Sequence, residues 1–309
     1  MHHFIIRFTL DGPHVAKCVL CLDQFVSNIS AFELAEQNQY WAVDLFSADT
    51  PKQDWINQLC NLLDQQAIKY RLNIYKQTPK DWLAGTLEGF EKIRIGGFNI
   101  IPSADQNTIY HHGLKTNRWN ILLPPGMAFG TGHHMTTRHC LKAIEWCAKK
   151  HPYSPILQDQ TTLSKHKLEI GDIGCGTGIL AIACANIWPH ANIYASDVDV
   201  HAIHIAQDNI NHNRLAHRIK CFNAYALTHH RWQRSNKFNL LISNILMKPI
   251  LRLIPQIAKR LDNKGRWIAS GLLDKQAKAV ISRSTKHKLH LLHQYKNDGW
   301  ATLIFERLT

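Results

Sequence analysis

The chain has 309 residues, of which 45% are apolar, so it can bury one large α/β core and a smaller second domain. Its formal net charge of +13 is unevenly distributed, because residues 1–78 carry only six Lys and Arg against eight Asp and Glu. No apolar run approaches the length that spans a bilayer, and residues 1–10 are too short and too patterned for a secretory signal. These features exclude a membrane protein and predict a soluble, cytoplasmic one.

The first 78 residues predict a small α+β domain. Strands and helices follow one another there in the order βαββαβ, which is typical of the ferredoxin-like fold and suits the docking of a substrate. The predicted strands are residues 4–10, 29–36, 40–46 and 68–76, and the predicted helices are residues 14–25 and 52–63. Residues 79–90 then predict a linker helix, with Thr78 as a candidate cap.

The eight cysteines are scattered along the chain and mostly lie within apolar patterns, which is typical of reduced thiols in a core. Cys18 and Cys21 form the only C-x-x-C pair. A zinc site with four ligands needs a second pair of cysteines or a matched pair of histidines. Because the helical pattern of residues 14–25 accounts for both cysteines, no metal site is predicted.

Residues 91–309 predict a second, larger domain that begins with short strands at 93–101 and 119–123. A glycine-rich turn containing Gly126, Gly130 and Gly132 then leads into a helix that ends near residue 149. The turn delivers Thr136 and Thr137 to the N-terminus of this helix, where backbone amides lack partners. Their hydroxyls either meet a carboxylate of a ligand or simply cap the helix.

The segment LEIGDIGCGTGILAIACA predicts a buried strand, a glycine-rich turn and the start of a helix, an arrangement that binds nucleotide-like ligands. Gly174, Gly176 and Gly178 allow a tight turn, and Asp197, after the next predicted strand, is placed to bind ribose hydroxyls. The same spacing satisfies the dinucleotide fingerprint G-x-G-x-x-G/A. Asp172 favours S-adenosylmethionine, because a carboxylate there attracts an ammonium group and repels a pyrophosphate. A glycine turn that binds no ligand is the third interpretation.

Beyond residue 190 strands and helices alternate regularly, which predicts a doubly wound, largely parallel sheet. The predicted strands are residues 191–196, 221–223, 240–243, 266–270, 287–294 and 300–307, and the predicted helices are residues 200–213, 249–261 and 275–284. Asn244 directly follows one of these strands, at the sheet edge where open α/β folds bind ligands. It is either a functional amide or an ordinary turn asparagine.

Four segments, in this order and spacing, resemble the ribosomal protein L11 methyltransferase family: AFGTGHHMTT, DIGCGTGILAIA, SDVDVHAIHIAQDNINHN and SNILMKPI. The first and the last distinguish this family from other methyltransferases. The resemblance extends from about residue 82 to the end of the chain and covers residues 1–78 only by their pattern. It implies a seven-stranded class I methyltransferase sheet and the S-adenosylmethionine-dependent methylation of lysine ε-amines, and also of the N-terminal α-amine, on ribosomal protein L11.

The resemblance also implies a set of site residues. The family's cofactor contacts fall on Thr137, Gly174, Asp197 and Asn244, and the amide of Asn244 would also accept a hydrogen bond from the attacking amine. His134, in the preceding turn, is a second candidate catalytic residue. It acts either as a proton acceptor or as a residue that orients the site.

The implied chemistry requires a neutral amine as the nucleophile. A lysine with a pKa of about 10.4 costs about 4–5 kcal/mol to deprotonate at pH 7. An apolar mouth formed by Phe129, Ile245 and Leu246 would lower this cost by disfavouring the ammonium ion. Met247 and Lys248 stand where smaller residues are more usual in the family, and they bear on the shape of this mouth.

Three other functions are compatible with the sequence. A methyltransferase for another protein lysine or for a small amine would share every core motif and differ in residues 1–78. A nicotinamide-dependent dehydrogenase would share the glycine turn, although the chain has no evident Tyr-x-x-x-Lys pair for hydride transfer. A non-enzymatic RNA-binding module is favoured by charge alone, and the same charge predicts a weak contact of an enzyme with the ribosome or with RNA.

Overall fold

The computed structural model describes residues 3–22, 29–33, 40–47, 50–77, 92–102, 119–124, 134–150, 168–233 and 237–308. The chain folds as two units, Met1–Phe90 and Glu91–Thr309. The linker helix expected at residues 79–90 lies outside the described residues, so the domain boundary at residue 78 stays a prediction.

The first unit is a four-stranded sheet with two helices. Its elements are β1 (His3–Asp11), α1 (Gly12–Leu22), β2 (Ile29–Glu33), β3 (Tyr40–Ser47), α2 (Gln53–Gln65) and β4 (Arg71–Gln77). The strand order is β2-β3-β1-β4, and each neighbouring pair is antiparallel. The βαββαβ prediction and its ferredoxin-like topology are confirmed.

The two helices of the first unit each bury one apolar face. In α2 the buried side chains are Ile56, Leu59 and Leu63, at the i, i+3, i+7 spacing of an amphipathic helix. In α1 Cys18 is fully buried, and burial, aided by the neighbouring Cys21, raises the pKa of its thiol to about 12. Cys18 therefore packs as an apolar core residue.

The second unit begins with a separate three-stranded sheet, formed by β5 (Ile93–Ile95), β6 (Phe98–Ile101) and β7 (Trp119–Leu122). β5 and β6 are antiparallel, and β6 and β7 are parallel. The region predicted as strand at 93–101 is interrupted at Gly96 and Gly97, where the Gly97 N–H donates to Oε2 of Glu145 at 3.1 Å. Glu145 belongs to the next helix, α3 (Met135–Lys150), so this turn is tied to α3.

A seven-stranded sheet forms the centre of the second unit. Its remaining elements are β8 (Glu169–Ile173), α4 (Ile179–Ile187), β9 (Asn192–Asp197), α5 (Val200–His212), β10 (Ile219–Asn223), α6 (His230–Gln233), β11 (Phe238–Asn244), α7 (Met247–Arg260), β12 (Leu261–Leu273), α8 (Asp274–Thr285), β13 (Leu289–Asn297) and β14 (Trp300–Arg307). The order is β10-β9-β8-β11-β12-β14-β13, and β14 runs in the direction opposite to the other six strands of this sheet. The prediction of a doubly wound, seven-stranded sheet is confirmed.

Two apolar layers cover the faces of this sheet. Helices α3, α4 and α5 contribute to one layer, and α7 and α8 contribute to the other. From β8 the chain proceeds outward through β9 to β10, and then returns to β11 on the opposite side of β8. Because the strand order reverses between β8 and β11, their carboxyl ends flank a crevice, which is the usual ligand position in open α/β sheets.

Some element boundaries differ from their predictions. β12 covers Leu261–Leu273 rather than residues 266–270, because Leu261 already pairs with Phe238 ahead of the polar residues that follow it. α7 begins at Met247, two residues before the predicted start at Pro249, since a proline in the first helical turn does not need its missing N–H. The four-residue helix α6 was not predicted, because one turn is too short to show a periodic pattern.

Candidate active site

The glycine-rich turn connects the end of β8 to the start of α4. Gly174, Gly176 and Gly178 have φ angles of +74°, +53° and +77°, a region that side chains enter only with strain. Gly174 also has no room for a side chain, because a Cβ there would lie 2.3 Å from Cγ2 of Ile245. The Gly174 N–H donates to the carbonyl of Ser196 at 2.8 Å, which ties the turn to β9. The structure thus places the predicted turn at the carboxyl edge of the sheet.

Asp197 is the last residue of β9, and its carboxylate lies against the glycine turn. Oδ2 accepts the Gly176 N–H and Oδ1 accepts the Asp199 N–H, each at 3.0 Å. Burial raises the pKa of Asp197, and these backbone donors oppose that shift. Each carboxylate oxygen can accept a further hydrogen bond, so the group can still receive ribose hydroxyls.

Asp172 lies two residues before the turn and is completely buried. Oδ2 accepts the Ala181 N–H at 3.2 Å, in the first turns of α4, whereas Oδ1 has no hydrogen-bond partner. Burial raises the pKa of Asp172 to about 7, and the negative charge of Asp197 adds to this effect. An unpaired carboxylate oxygen in a buried setting suits a donor group of a ligand, above all a cationic one.

Asn244 is the last residue of β11 and faces Ser270 across the ladder to β12. The residue is 8% exposed, and its Oδ1 is buried without a hydrogen-bond partner. The following backbone is tightly held, because the Ile245 N–H donates to the Ser270 carbonyl at 3.1 Å. A Cβ at Gly271, whose φ is +80°, would lie 2.4 Å from the Ile245 carbonyl oxygen. Asn244 is therefore fixed beside the glycine turn.

Thr136 and Thr137 lie in the first turn of α3, and both are fully buried. Nδ1 of His134 accepts the Thr136 N–H at 3.2 Å and lies 2.7 Å from the Thr136 hydroxyl, so these two residues cap the helix. Oγ1 of Thr137 has no hydrogen-bond partner. Capping alone thus accounts for Thr136, whereas the Thr137 hydroxyl remains available to a ligand.

His134 is 6% exposed and lies edge-to-face against Trp300, with ring centroids 4.7 Å apart. Burial lowers its pKa to about 3, and the neighbouring His139 contributes. The imidazole is consequently neutral near pH 7, with Nδ1 directed at Thr136. The contact of Nδ1 with Thr136 and the low pKa both favour the orienting role of His134 over proton acceptance.

Three buried polar atoms therefore lack partners at or near the carboxyl edge of the sheet: Oγ1 of Thr137, Oδ1 of Asp172 and Oδ1 of Asn244. The elements that carry them are adjacent, because the Ser270 hydroxyl, across the ladder from Asn244, lies 3.4 Å from the Thr136 carbonyl. Buried polar groups in folded proteins are nearly always hydrogen-bonded. A polar ligand in this crevice could satisfy these three atoms, which lie close to the glycine turn.

Two asparagines that support the site were not assigned a role from the sequence. The Asn209 amide in α5 donates to the Thr177 carbonyl inside the glycine turn at 2.9 Å. Asn213 donates to the Leu122 carbonyl at 2.7 Å and accepts the Leu122 N–H at 2.9 Å, which holds the end of β7. Both belong to the segment SDVDVHAIHIAQDNINHN, in which the family pattern marks a role for Asp197 and none for the asparagines.

Gly271 is a third residue that sequence analysis missed. It lies in β12 where the register with β14 shifts, so it forms part of a bulge. A single glycine in a strand pattern is the one signal that could have indicated this close backbone approach.

Parts of the predicted site fall outside the described residues. These are Gly126, Gly130 and Gly132 of the second glycine turn, and Phe129 of the proposed mouth. Over the residues that the structure describes, no cluster of three or more His, Cys, Asp or Glu could hold a metal ion. Over the same residues, no helix is both long and apolar enough to cross a bilayer.

Comparison with known proteins gives a consistent result. A family model described as Ribosomal protein L11 methyltransferase (PrmA) matches residues 15–308. A ribosomal protein L11 methyltransferase of Bradyrhizobium diazoefficiens is 31% identical over 280 residues, which cover 91% of this chain and 88% of that protein. One of Brucella suis is 32% identical over 223 residues, which cover 72% of this chain and 71% of that protein.

A solved structure supports the fold independently. The ribosomal protein L11 methylase from Lactobacillus delbrueckii subsp. bulgaricus aligns with a TM-score of 0.57 at 24% sequence identity. The alignment covers 71% of this chain and 100% of that chain. At this level of identity the likeness bears on the fold.

Proposed function

Since this chain belongs to the ribosomal protein L11 methyltransferase family, we propose that it transfers methyl groups from S-adenosylmethionine to lysine ε-amines of ribosomal protein L11, and also to the N-terminal α-amine. Membership of this family argues against the two other hypotheses, a dehydrogenase and a non-enzymatic RNA-binding module. The observation that carries the proposal is the buried, unpaired Oδ1 of Asn244 beside the glycine turn.

The residues at the sheet edge fit S-adenosylmethionine, which supplies an electrophilic methyl group on a sulfonium when bound. Asp197 would accept hydrogen bonds from the ribose hydroxyls, and the turn Gly174–Gly178 leaves its backbone open to close approach. The unpaired oxygen of Asp172 suits the ammonium end of the ligand. The unpaired hydroxyl of Thr137, at a helix N-terminus, suits its carboxylate.

Asn244 would act on the nucleophile. Its amide oxygen is no base, but as a fixed acceptor it can hold an N–H of the amine and so direct the nitrogen lone pair. Ile245, which packs against Gly174, and the exposed Leu246 make this mouth partly apolar. Such surroundings favour the neutral amine over the ammonium ion.

The proposed substrate also places the enzyme. Ribosomal proteins meet the ribosome in the cytoplasm, so we propose a cytoplasmic location. The basic second unit further suggests a weak contact with the ribosome or with RNA, beyond the contact with L11 itself.

Incubation of the protein and radiolabelled S-adenosylmethionine with a mixture of purified ribosomal proteins tests the proposal. The label is expected in L11, and peptide mass spectrometry is expected to locate it on lysine ε-amines and on the N-terminus. A reaction with the Asn244→Ala variant provides the background. Label in another protein would redirect the proposal to a different lysine substrate, and absence of label from every protein would refute it.

A further inference from the structure

Residues 247–288 concentrate positive charge. This stretch contains eleven Lys and Arg, two Asp and no Glu, in a chain whose formal net charge is +13. Nine of the eleven basic side chains are exposed: Lys248, Arg252, Lys259, Lys264, Lys275, Lys278, Arg283, Lys286 and Lys288. The other two turn inward, since Arg260 donates to the Trp232 carbonyl and Arg266 donates to carbonyls at the end of α3.

Six of the exposed cations lie on α7 and α8, and we call the surface that they form the α7–α8 face: Lys248, Arg252, Lys259, Lys275, Lys278 and Arg283. The two helices are in contact with each other and pack on the same side of the seven-stranded sheet. On α7, Lys248, Arg252 and Lys259 follow at i, i+4 and i+11, which places them on one stripe of the helix, about 16 Å long at 1.5 Å per residue. α7 contains no acidic residue at all.

The charge of this face is not neutralised within the described part of the chain. None of the nine exposed cations forms an ion pair there with an acidic side chain. Asp274, the one acidic residue of α8, pairs instead with Lys296 at 2.7 Å. The surface therefore presents a positive potential to its surroundings.

The α7–α8 face begins beside the reaction edge. α7 starts at Met247, three residues after Asn244, so Lys248, in the first turn of α7, lies near the strand end that carries Asn244. A polyanion lying along α7 would reach the edge at which the amine is methylated.

We propose that the α7–α8 face binds the phosphate backbone of RNA. The choice of RNA rests on the proposed function, because the proposed substrate is a ribosomal protein and therefore a ligand of RNA. A membrane surface is disfavoured, because the apolar residues of α7, such as Leu253 and Ile257, are buried and leave little to insert between lipids. Phosphate contacts of this kind carry no sequence preference.

Fluorescence anisotropy with a labelled RNA duplex of mixed sequence, measured over a salt series on the full-length protein, tests this surface. The test variant is Arg252→Gln/Lys259→Gln/Lys278→Gln. The matched control is Lys142→Gln/Lys149→Gln/Lys150→Gln, which removes three exposed charges from α3 on the opposite face of the sheet. Thermal unfolding and calorimetric affinity for S-adenosylmethionine serve as checks that both variants are folded.

The test variant is expected to lose at least about tenfold in RNA affinity at low salt, with a log–log salt slope shallower by about 2 to 3. The control is expected to stay within about twofold of the unchanged protein. Equal losses in the two variants, no RNA binding at all, or binding to anionic vesicles in preference to RNA would each overturn the assignment. Methyl transfer to free L11 is measured separately, so a failure of RNA binding leaves the proposed activity standing.

Discussion

At the scale of single residues, the burial of the Asp172 carboxylate lowers the stability of the folded protein by an amount that depends on pH. Its pKa is raised by burial from 3.8 to about 7, so between these values the folded protein binds more protons than the unfolded chain. Stability therefore falls as pH rises from about 4 to 7, and the loss is complete above pH 7. A shift of about 3 pKa units corresponds to about 4 kcal/mol, which is the upper limit for this one group.

Asp172→Asn is accordingly expected to raise the free energy of unfolding of the ligand-free protein at pH 8, by up to about 4 kcal/mol, because the amide carries no charge to bury. The gain should shrink towards zero near pH 4, where the aspartate is protonated. Urea unfolding at pH 8 and at pH 5 measures the effect. The same variant is expected to bind S-adenosylmethionine more weakly, and a variant that is less stable at pH 8 would contradict this account.

Asn244 is expected to matter more for turnover than for binding. Asn244→Ala removes the acceptor that would orient the amine, and we expect kcat to fall about 100-fold or more. The Kd for S-adenosylmethionine, measured by calorimetry, should change much less. If both quantities change by the same factor, Asn244 serves the cofactor alone.

A substitution at Gly271 tests the backbone contact that holds Asn244 in place. Gly271→Ala puts a Cβ 2.4 Å from the Ile245 carbonyl oxygen and strains a φ of +80°, so the turn after β11 must shift. We expect a loss of about 1–3 kcal/mol in stability and about 100-fold in kcat. Gly299→Ala is the control, since its φ is +78° in an exposed turn. It should cost similar stability and leave kcat nearly unchanged, and equal kinetic losses in the two variants would argue against the contact with Ile245.

At the scale of elements, Asn213 joins α5 to the end of β7. Its side-chain amide pairs with both the N–H and the carbonyl of the buried Leu122, as a neighbouring strand would. Asn213→Ala is expected to destabilise the protein by about 1–3 kcal/mol and to speed hydrogen exchange of the Leu122 amide. Asn57→Ala, at an exposed side-chain contact with Gln53, should do neither. Unchanged exchange at Leu122 in the Asn213 variant would count against this role.

Elements with a periodic pattern could be predicted from the sequence, and those defined by distant contacts could not. The sequence predicts the αβ alternation and the βαββαβ order, because apolar residues recur along helices and strands with different periods. The partition of β5, β6 and β7 into a separate sheet depends on pairing between segments with no such signal.

The same distinction applies to the candidate site. Gly174, Asp197 and Asn244 stand at strand ends, where a local motif marks them. Asn213 acts on a residue 91 positions away, and Gly271 is required only because Ile245 happens to pack against it. Contacts of this kind become visible only once the chain is folded.

At the scale of the whole molecule, the residues expected to contact the cofactor all belong to the second unit, Glu91–Thr309. Deletion of residues 1–78 is therefore expected to leave the Kd for S-adenosylmethionine within about threefold, while the methylation of L11 falls by at least about 100-fold for want of a docking domain. Calorimetry and the radiolabel assay measure the two quantities. Undiminished methylation would show that L11 is recognised by the second unit instead.

The position of β14 has a consequence for how the protein matures. This strand is the last of its sheet in chain order, yet it inserts between β12 and β13. A nascent chain whose final strand is still inside the ribosomal exit tunnel cannot close that gap, and it also lacks Trp300, the aromatic neighbour of His134. The sheet is therefore complete only once β14 has paired with both β12 and β13.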